Sequence, residues 1–178
     1  MTEISEWNEA IEYEKFLETA REHVELMKAR YDDIMLDEQD EDLLSSIQHD
    51  IKILVIGTDR CNDTAGNLPV IARMASYSPH VEVRVLDSDK HARFHQNYRI
   101  NGKRKTPVVL FLSTELMELC RWAERPNAVY QIINEKDLSL DEKREELRQL
   151  YSDSEILRQS LGELSDLLLR ADLILGRS

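Results

Sequence analysis

Two cysteines, Cys61 and Cys120, are all that this chain of 178 residues contains. Two thiols cannot build a disulfide framework. Without histidines at ligand spacing they make no zinc set either, and their scarcity points to a reducing compartment. Positive charge is also short. Lys and Arg number 23 against 35 Asp and Glu, a net charge of −12, which argues against general binding to nucleic acid or to an anionic membrane surface. No apolar run approaches the length of a membrane span. No leader pattern opens the chain, because Met1 is followed by polar and acidic residues at helical spacing. Internal repeats and low-complexity segments are missing too. The expectation is a soluble, cytoplasmic protein of one domain with extensions, with 42% hydrophobic residues to build its core.

What is present is organised around Lys52 to Tyr77. Ile53, Leu54, Val55 and Ile56 form a short continuous apolar run, the mark of a strand covered on both faces. Gly57 ends it. Asp63 and Thr64 are good N-cap types, and Leu68, Ile71, Ala72 and Ala75 recur at helical spacing. Cys61 therefore falls at or just before a helix N-terminus, where free N–H groups and the macrodipole stabilise a thiolate and Arg60 adds a positive charge. The competing reading of this cysteine alone is a small buried hydrophobe.

The rest of the chain reads in order around that unit. Ile4, Trp7, Ile11, Phe16, Ala20, Val24, Met27 and Tyr31 lie near a 3.6-residue period and predict helix over residues 1 to about 35. The acidic run Asp37 to Asp42 reads as a solvated linker or helix start, and Leu43, Leu44 and Ile47 as a short helix into the first strand. Val81 to Asp87 alternates and predicts a second strand. Ser88 and Asp89 would cap a helix to about Tyr98, and Asn101-Gly102 signals a turn. Pro107 to Leu112 is a third strand and Leu116 to Trp122 a fourth, in a hairpin with it. Pro126 opens a helix at Asn127. Two helices close the chain, the second carrying Ile156, Leu157, Leu161, Leu164, Leu167, Leu168 and Leu175. The fold class is α/β: a mixed four-stranded sheet in the order β-α-β-α-β-β-α, with helices on both faces and a right-handed first crossover. Residues 1–42 form an N-terminal helical extension, 43–134 the α/β domain, and 135–178 a C-terminal helical extension.

That order, with a cysteine after the first strand, resembles the thioredoxin fold. Pro69 stands eight residues beyond Cys61, where thioredoxin-like proteins carry a helix-kinking proline. Thr106-Pro107 stands where that fold places a cis-proline facing the active cysteine, and Tyr98 and Ile100 precede it in a similar pattern. More specifically, the chain resembles the bacterial thioredoxin-like family with a C-x-D-C or C-x-D-A site, a following N-L-P and a later W-x-E-R-P. Here these are Cys61-Asn62-Asp63-Thr64, Asn67-Leu68-Pro69 and Trp122-Ala123-Glu124-Arg125-Pro126. The resemblance spans Leu43 to Ile133. Two departures stand out. Thr64 replaces the second cysteine, and Arg60 replaces the tryptophan expected before the first.

The chemistry that remains is that of a single thiol. A dithiol oxidoreductase needs a second cysteine to resolve its mixed disulfide, and Cys120, in mid-strand, is poorly placed to supply it. Cys61 is the candidate nucleophile, with Thr64 donating a hydrogen bond to its thiolate. Asp63 either faces the sulfur or caps the helix. From Lys90 to Lys105 the chain holds six Lys and Arg, two histidines and no acid. Antiparallel pairing of the first and third strands brings Lys103 to Lys105 near Cys61, where they would attract a small anionic thiol or an acidic, thiol-containing protein. The competing reading is a solvated loop kept soluble by its lysines. Arg60, Asp63, Lys105, Thr106, Pro107, Trp122 and Arg125 are the candidate substrate-binding residues. Trp122 as core and Arg125 as a structural partner of Glu124 are the alternatives. His91 and His95 read as surface residues, and no cofactor or metal is implied. The leucines of the last helix and the apolar stripe of the N-terminal helix can bury each other within one chain, the simpler case, or across a two-fold axis. The few apolar faces left free on the core favour a homodimer. The activity indicated is monothiol thiol–disulfide oxidoreduction. The competing reading is a redox-inactive binding or scaffold module on the same fold.

Overall fold

The structure, a computed structural model, describes residues 3–177. Its centre is strand β2 (Ile51–Gly57), paired in parallel with β3 (Val81–Asp87) and antiparallel with β4 (Val108–Leu112). β4 continues as an antiparallel hairpin into β5 (Glu118–Ala123). The apolar runs of β2 and β4 are buried on both faces, as continuous hydrophobic strands require. The expected four strands are joined by a fifth. The two-residue β1 (Ile11–Glu12) pairs antiparallel with β3, giving the sheet order β1-β3-β2-β4-β5.

Alternate residues of these strands feed two cores. Ile53, Val55, Val85, Val109 and Phe111 pack beneath helices α2 (Val24–Asp33), α4 (Asn62–Ala75) and α8 (Ser154–Leu175). Leu54, Ile56, Leu86, Val108, Leu110 and Leu112 form the other core with Ile4, Trp7, Tyr98 and Leu116. Each such aliphatic side chain is worth about 1.5–3 kcal/mol when fully buried.

The two cores explain why the N-terminal residues are not the single helix their periodicity predicts. Trp7 belongs to one face of the sheet, whereas Tyr13, Phe16 and Met27 belong to the other. One straight helix cannot serve both. The chain instead runs through a 3₁₀ turn (Ser5–Glu9), crosses the sheet edge as β1, and resumes as α1 (Tyr13–Thr19) and then α2. The acidic run that follows starts α3 (Glu38–Ser45), where Asp37 and Asp40 form a reciprocal capping box.

After β5 come α6 (Asn127–Asn134), α7 (Leu140–Leu150) and α8. The leucine stripe of α8 is covered within the chain. Leu157, Leu161, Leu164 and Leu168 are buried against α4 and the β4–β5 side of the sheet. Glu163 adds a polar clamp there, accepting from Trp122 Nε1 at 2.7 Å and from the Asn127 amide at 2.8 Å. Among the described residues, no helix is long and apolar enough to cross a membrane.

Candidate functional site

Cys61 is itself the N-cap of α4, with extended dihedrals (φ −93°, ψ 125°). The sequence had offered Asp63 and Thr64 as caps, but both lie within the first helical turn and are buried. The loop from Thr58 to Arg60 is tied down from both ends. Cys61 N donates to Thr58 O at 3.2 Å. The Asp59 carboxylate accepts the amides of Arg21 (2.7 Å) and Glu22 (3.1 Å). The thiol is half-buried and donates to the carbonyl of Thr106, Sγ to O 3.4 Å. Thr106-Pro107 is cis, as the resemblance implied. Cys61 opens into a cleft of about 280 Å³ lined by Thr58, Arg60, Ser88, Asp89, Arg104 and Thr106. Arg60 and Asp89 form an ion pair there.

The basic segment does reach the cysteine: of the stretch Lys103 to Lys105, Arg104 rather than Lys105 meets the cleft. Arg104 lines the cleft, with Nη1 on Ser88 O at 3.2 Å. Lys105 turns away to pair with Glu124 at 3.1 Å. Glu124 N also donates to Pro107 O at 2.7 Å, so one residue steadies the shelf beneath the thiol twice. His95 holds the shelf from the other side. It is fully buried rather than on the surface, its ring bonded to Ser88 Oγ (2.7 Å) and Lys105 O (3.0 Å). Burial pushes its pKa below the ordinary histidine value.

Beneath the first turn of α4 lies a buried polar network that contains most of the motif residues. Asp63 accepts from Arg125 Nη2 at 2.7 Å and from the Tyr151 hydroxyl at 2.6 Å. Burial raises its pKa, and Arg125 and Tyr151 only partly offset this. Asn67 donates to Tyr151 Oη (3.0 Å) and to Asp63 O (2.8 Å), and accepts from Ser160 Oγ (2.8 Å). Glu124 takes Tyr130 at 2.6 Å and Arg125 at 3.1 Å. Burial pushes the Glu124 carboxyl up, but Tyr130, Arg125 and Lys105 together hold it below its usual value. Asp63 and the Nη2 group of Arg125 are therefore engaged with one another beneath α4, and Trp122 packs in the core under α8. None of the three lines the thiol cleft.

Thr64 is fully buried and packs against Gly57, its hydroxyl oxygen accepting from Thr58 N at 3.5 Å. The expected hydrogen bond to Cys61 is not among those of the described residues. Cys120 lies at the far end of the sheet. It pairs with Phe111, which faces Ile53 near the start of β2, whereas Cys61 follows that strand's end. Its thiol donates to Leu167 O at 3.4 Å, and burial pushes it up to about 11.

Among the contributors that sequence reasoning missed are Thr58, Ser88 and Asp89 as cleft walls, His95 as a shelf support, and Tyr151 and Ser160 in the network beneath α4. The W-x-E-R-P motif marked Glu124 and Arg125. No local signal marks Tyr151, whose partners are 84 and 88 residues away.

A family model described as Thioredoxin matches residues 10–152. Among solved structures, a protein of unknown function from Pseudomonas aeruginosa superposes with a TM-score of 0.74 at 19% identity, covering 100% of both chains. An HIV epitope-scaffold gives 0.72 at 18% identity, over 94% of this chain and 98% of its own. At these identities the likeness speaks to the fold. No curated protein matches the chain.

Proposed function

The chain belongs to the thioredoxin family, and from that premise we propose that it performs monothiol thiol–disulfide exchange through Cys61. The observation that carries this is the placement of the thiol. It caps α4, stands 3.4 Å from the carbonyl before the cis-proline, and opens into a cleft flanked by Arg60 and Arg104. In the first step the Cys61 thiolate attacks one sulfur of a mixed disulfide. A bond forms from Cys61 to that sulfur, the old disulfide bond breaks, and the departing thiolate takes a proton from water. A second small thiol, as its thiolate, then attacks the sulfur bound to Cys61. This releases a new disulfide and regenerates Cys61, so the protein's own oxidation state is unchanged over the cycle. The free N–H groups of α4's first turn favour the thiolate in both steps. Arg104 supplies positive charge at the cleft, where the charge of Arg60 is matched by Asp89. Asp63 and Arg125 act from below, by fixing the first turn. No second thiol is needed for this route, which fits a buried Thr64 and a distant, protonated Cys120.

The alternative is a redox-inactive binding or scaffold module on the same fold, and Thr64 at the second cysteine position favours it. One experiment separates them. Folded protein is incubated with a mixed disulfide between a peptide and a small thiol, and adducts are mapped by mass spectrometry. Exchange predicts an adduct on Cys61 and none on Cys120, with turnover lost in Cys61→Ser. An unmodified Cys61 in folded protein, together with ready labelling after denaturation, would leave only the binding module.

A further inference from the structure

The segment between β3 and β4 is a strongly basic run in a protein whose net charge is −12. It carries Lys90, Arg93, Arg99, Lys103, Arg104 and Lys105 without an intervening acid. Solubility does not require it, because carboxylates elsewhere already supply charge. Its cations are also treated differently from others in the molecule. Arg84, Arg121, Arg144, Arg148 and Arg158 each face a carboxylate. In the segment only Lys105 does so among the described residues. Lys90, Arg93, Arg99 and Lys103 are exposed, with no side-chain hydrogen bond or ion pair among the described residues. The nearby carboxylates are already engaged. Asp89 faces Arg60, Asp87 accepts the amides of Asp89 and Lys90, Glu124 takes Lys105, and Glu9 faces His91.

The fold brings this lobe to the thiol. Ser88 and Asp89 at its start and Arg104 and Thr106 at its end all line the Cys61 cleft. Its middle is built to stand, with the helix α5 (Ala92–His95), a 3₁₀ turn (Gln96–Tyr98) and a tight turn closed by Ile100 and Lys103. His95 and Tyr98 anchor it from inside. Resting on the exchange reading of Cys61, we infer that this lobe is a docking surface for an acidic polypeptide segment flanking the disulfide that Cys61 attacks. Four unpaired cations spread from Lys90 to Lys103 extend beyond what a small anionic thiol in the cleft can reach, which selects a polypeptide partner. Single exposed ion pairs are weak, but a same-sign cluster raises the local concentration and encounter rate of an opposite charge, and salt suppresses it.

The test uses the full chain and synthetic single-cysteine peptides, each activated as its 2-pyridyl disulfide. The thiol-flanking residues are Asp and Glu in one peptide and Asn and Gln in another, and a third probe is a glutathione-sized anionic tripeptide. Attack by Cys61 on the peptide sulfur forms the Cys61–peptide disulfide and expels pyridine-2-thione, whose absorbance gives the rate. At low ionic strength the acidic peptide is expected to react about tenfold faster than the neutral one, a steering effect that salt abolishes. In Arg93→Glu/Arg99→Glu/Lys103→Glu the preference is expected to vanish or invert while the neutral peptide keeps its rate. Equal rates for the acidic and neutral peptides on wild type would overturn the inference. So would a preference confined to the tripeptide, which would assign the charge to small-thiol capture. Peptide binding to Cys61→Ser, followed by fluorescence anisotropy, reports docking without chemistry. Charge-selective binding with no thione release from wild type would sink the exchange reading and leave the docking surface standing.

Discussion

At the scale of single residues, Gly66 and Thr64 decide more than Cys61 does alone. A Cβ added at Gly66 would lie 2.3 Å from the Tyr151 ring, which cannot retreat because its hydroxyl is held by Asp63 and Asn67. Alanine gains about 1 kcal/mol over glycine in a helix, but overpacking a fixed ring costs about 1–3 kcal/mol or more. Gly66→Ala is therefore expected to lower stability in urea unfolding, and a neutral result would mean the ring has room to move. Thr64 is one helical turn from Cys61 and fully shielded from solvent, a setting suited to a resolving thiol. Thr64→Cys is expected to form an intramolecular disulfide with Cys61, detected by mass spectrometry, and to gain dithiothreitol-dependent reduction of insulin that wild type lacks. A disulfide without turnover would show that the cleft, not the missing thiol, limits access.

At the scale of elements, α4 and α8 each depend on a residue supplied from afar. Pro69 has no N–H, so the Ala65 carbonyl loses its helical donor. Arg30 of α2 reaches that carbonyl at 3.5 Å, while its Nε and Nη2 take the carbonyls of Tyr151 (2.8 Å) and Arg148 (3.4 Å) at the end of α7. A cation there is also favoured by that helix's dipole. Near the other end of α8, Asp172 accepts from Gln48 N (3.0 Å), His49 N (2.9 Å) and His49 Nδ1 (2.9 Å). Burial raises its pKa, but these donors outweigh burial and hold it below the ordinary aspartate value. A carboxyl lowered on folding adds stability above its unfolded pKa and loses it as pH falls through the folded value. Asp172→Asn is thus expected to cost about 1–2 kcal/mol at neutral pH. The two proteins should converge in acid, once the wild-type carboxyl is protonated. Urea midpoints measured across pH check both points, and a gap that persists in acid would assign the cost to packing.

At the scale of the whole molecule, the helices outside the sheet share its core. Tyr13, Phe16 and Met27 from the N-terminal part and Leu157, Leu161 and Leu164 from α8 belong to one buried cluster with β2 and β4. Ending the chain before α7 would expose that cluster and remove Tyr151 from Asp63. Such a truncated chain is expected to lose cooperative unfolding and near-ultraviolet circular dichroism, whereas an independent domain would keep both. The leucine stripe that suggested a homodimer is covered internally, so light scattering is expected to return the 20.8 kDa mass at every concentration. A doubled mass would instead direct attention to exposed Leu173 and Ile174.

The sequence by itself determined strands β2 to β5, the helices from α3 onward in outline and the position of the thiol, but not β1. A strand buried on both faces must be apolar throughout, so β2 and β4 are legible as runs, and the strand–turn–helix around Cys61 is written in consecutive residues. The order of elements read from those patterns resembled the thioredoxin fold, and that resemblance pointed to the cis-proline. Only the tertiary structure decided what those motifs do. Asp63 and Arg125 read as site residues, but folding joins them to the motif residues Asn67 and Glu124 in a buried scaffold closed by Tyr151 and Ser160. It replaced Lys105 with Arg104 at the cleft, buried His95, and broke the N-terminal helix so that Trp7 and Phe16 could reach opposite faces. Periodicity and capping report interactions a few residues apart. Which distant side chain meets a buried carboxylate or carbonyl depends on how all the elements pack at once, and no local pattern carries that information.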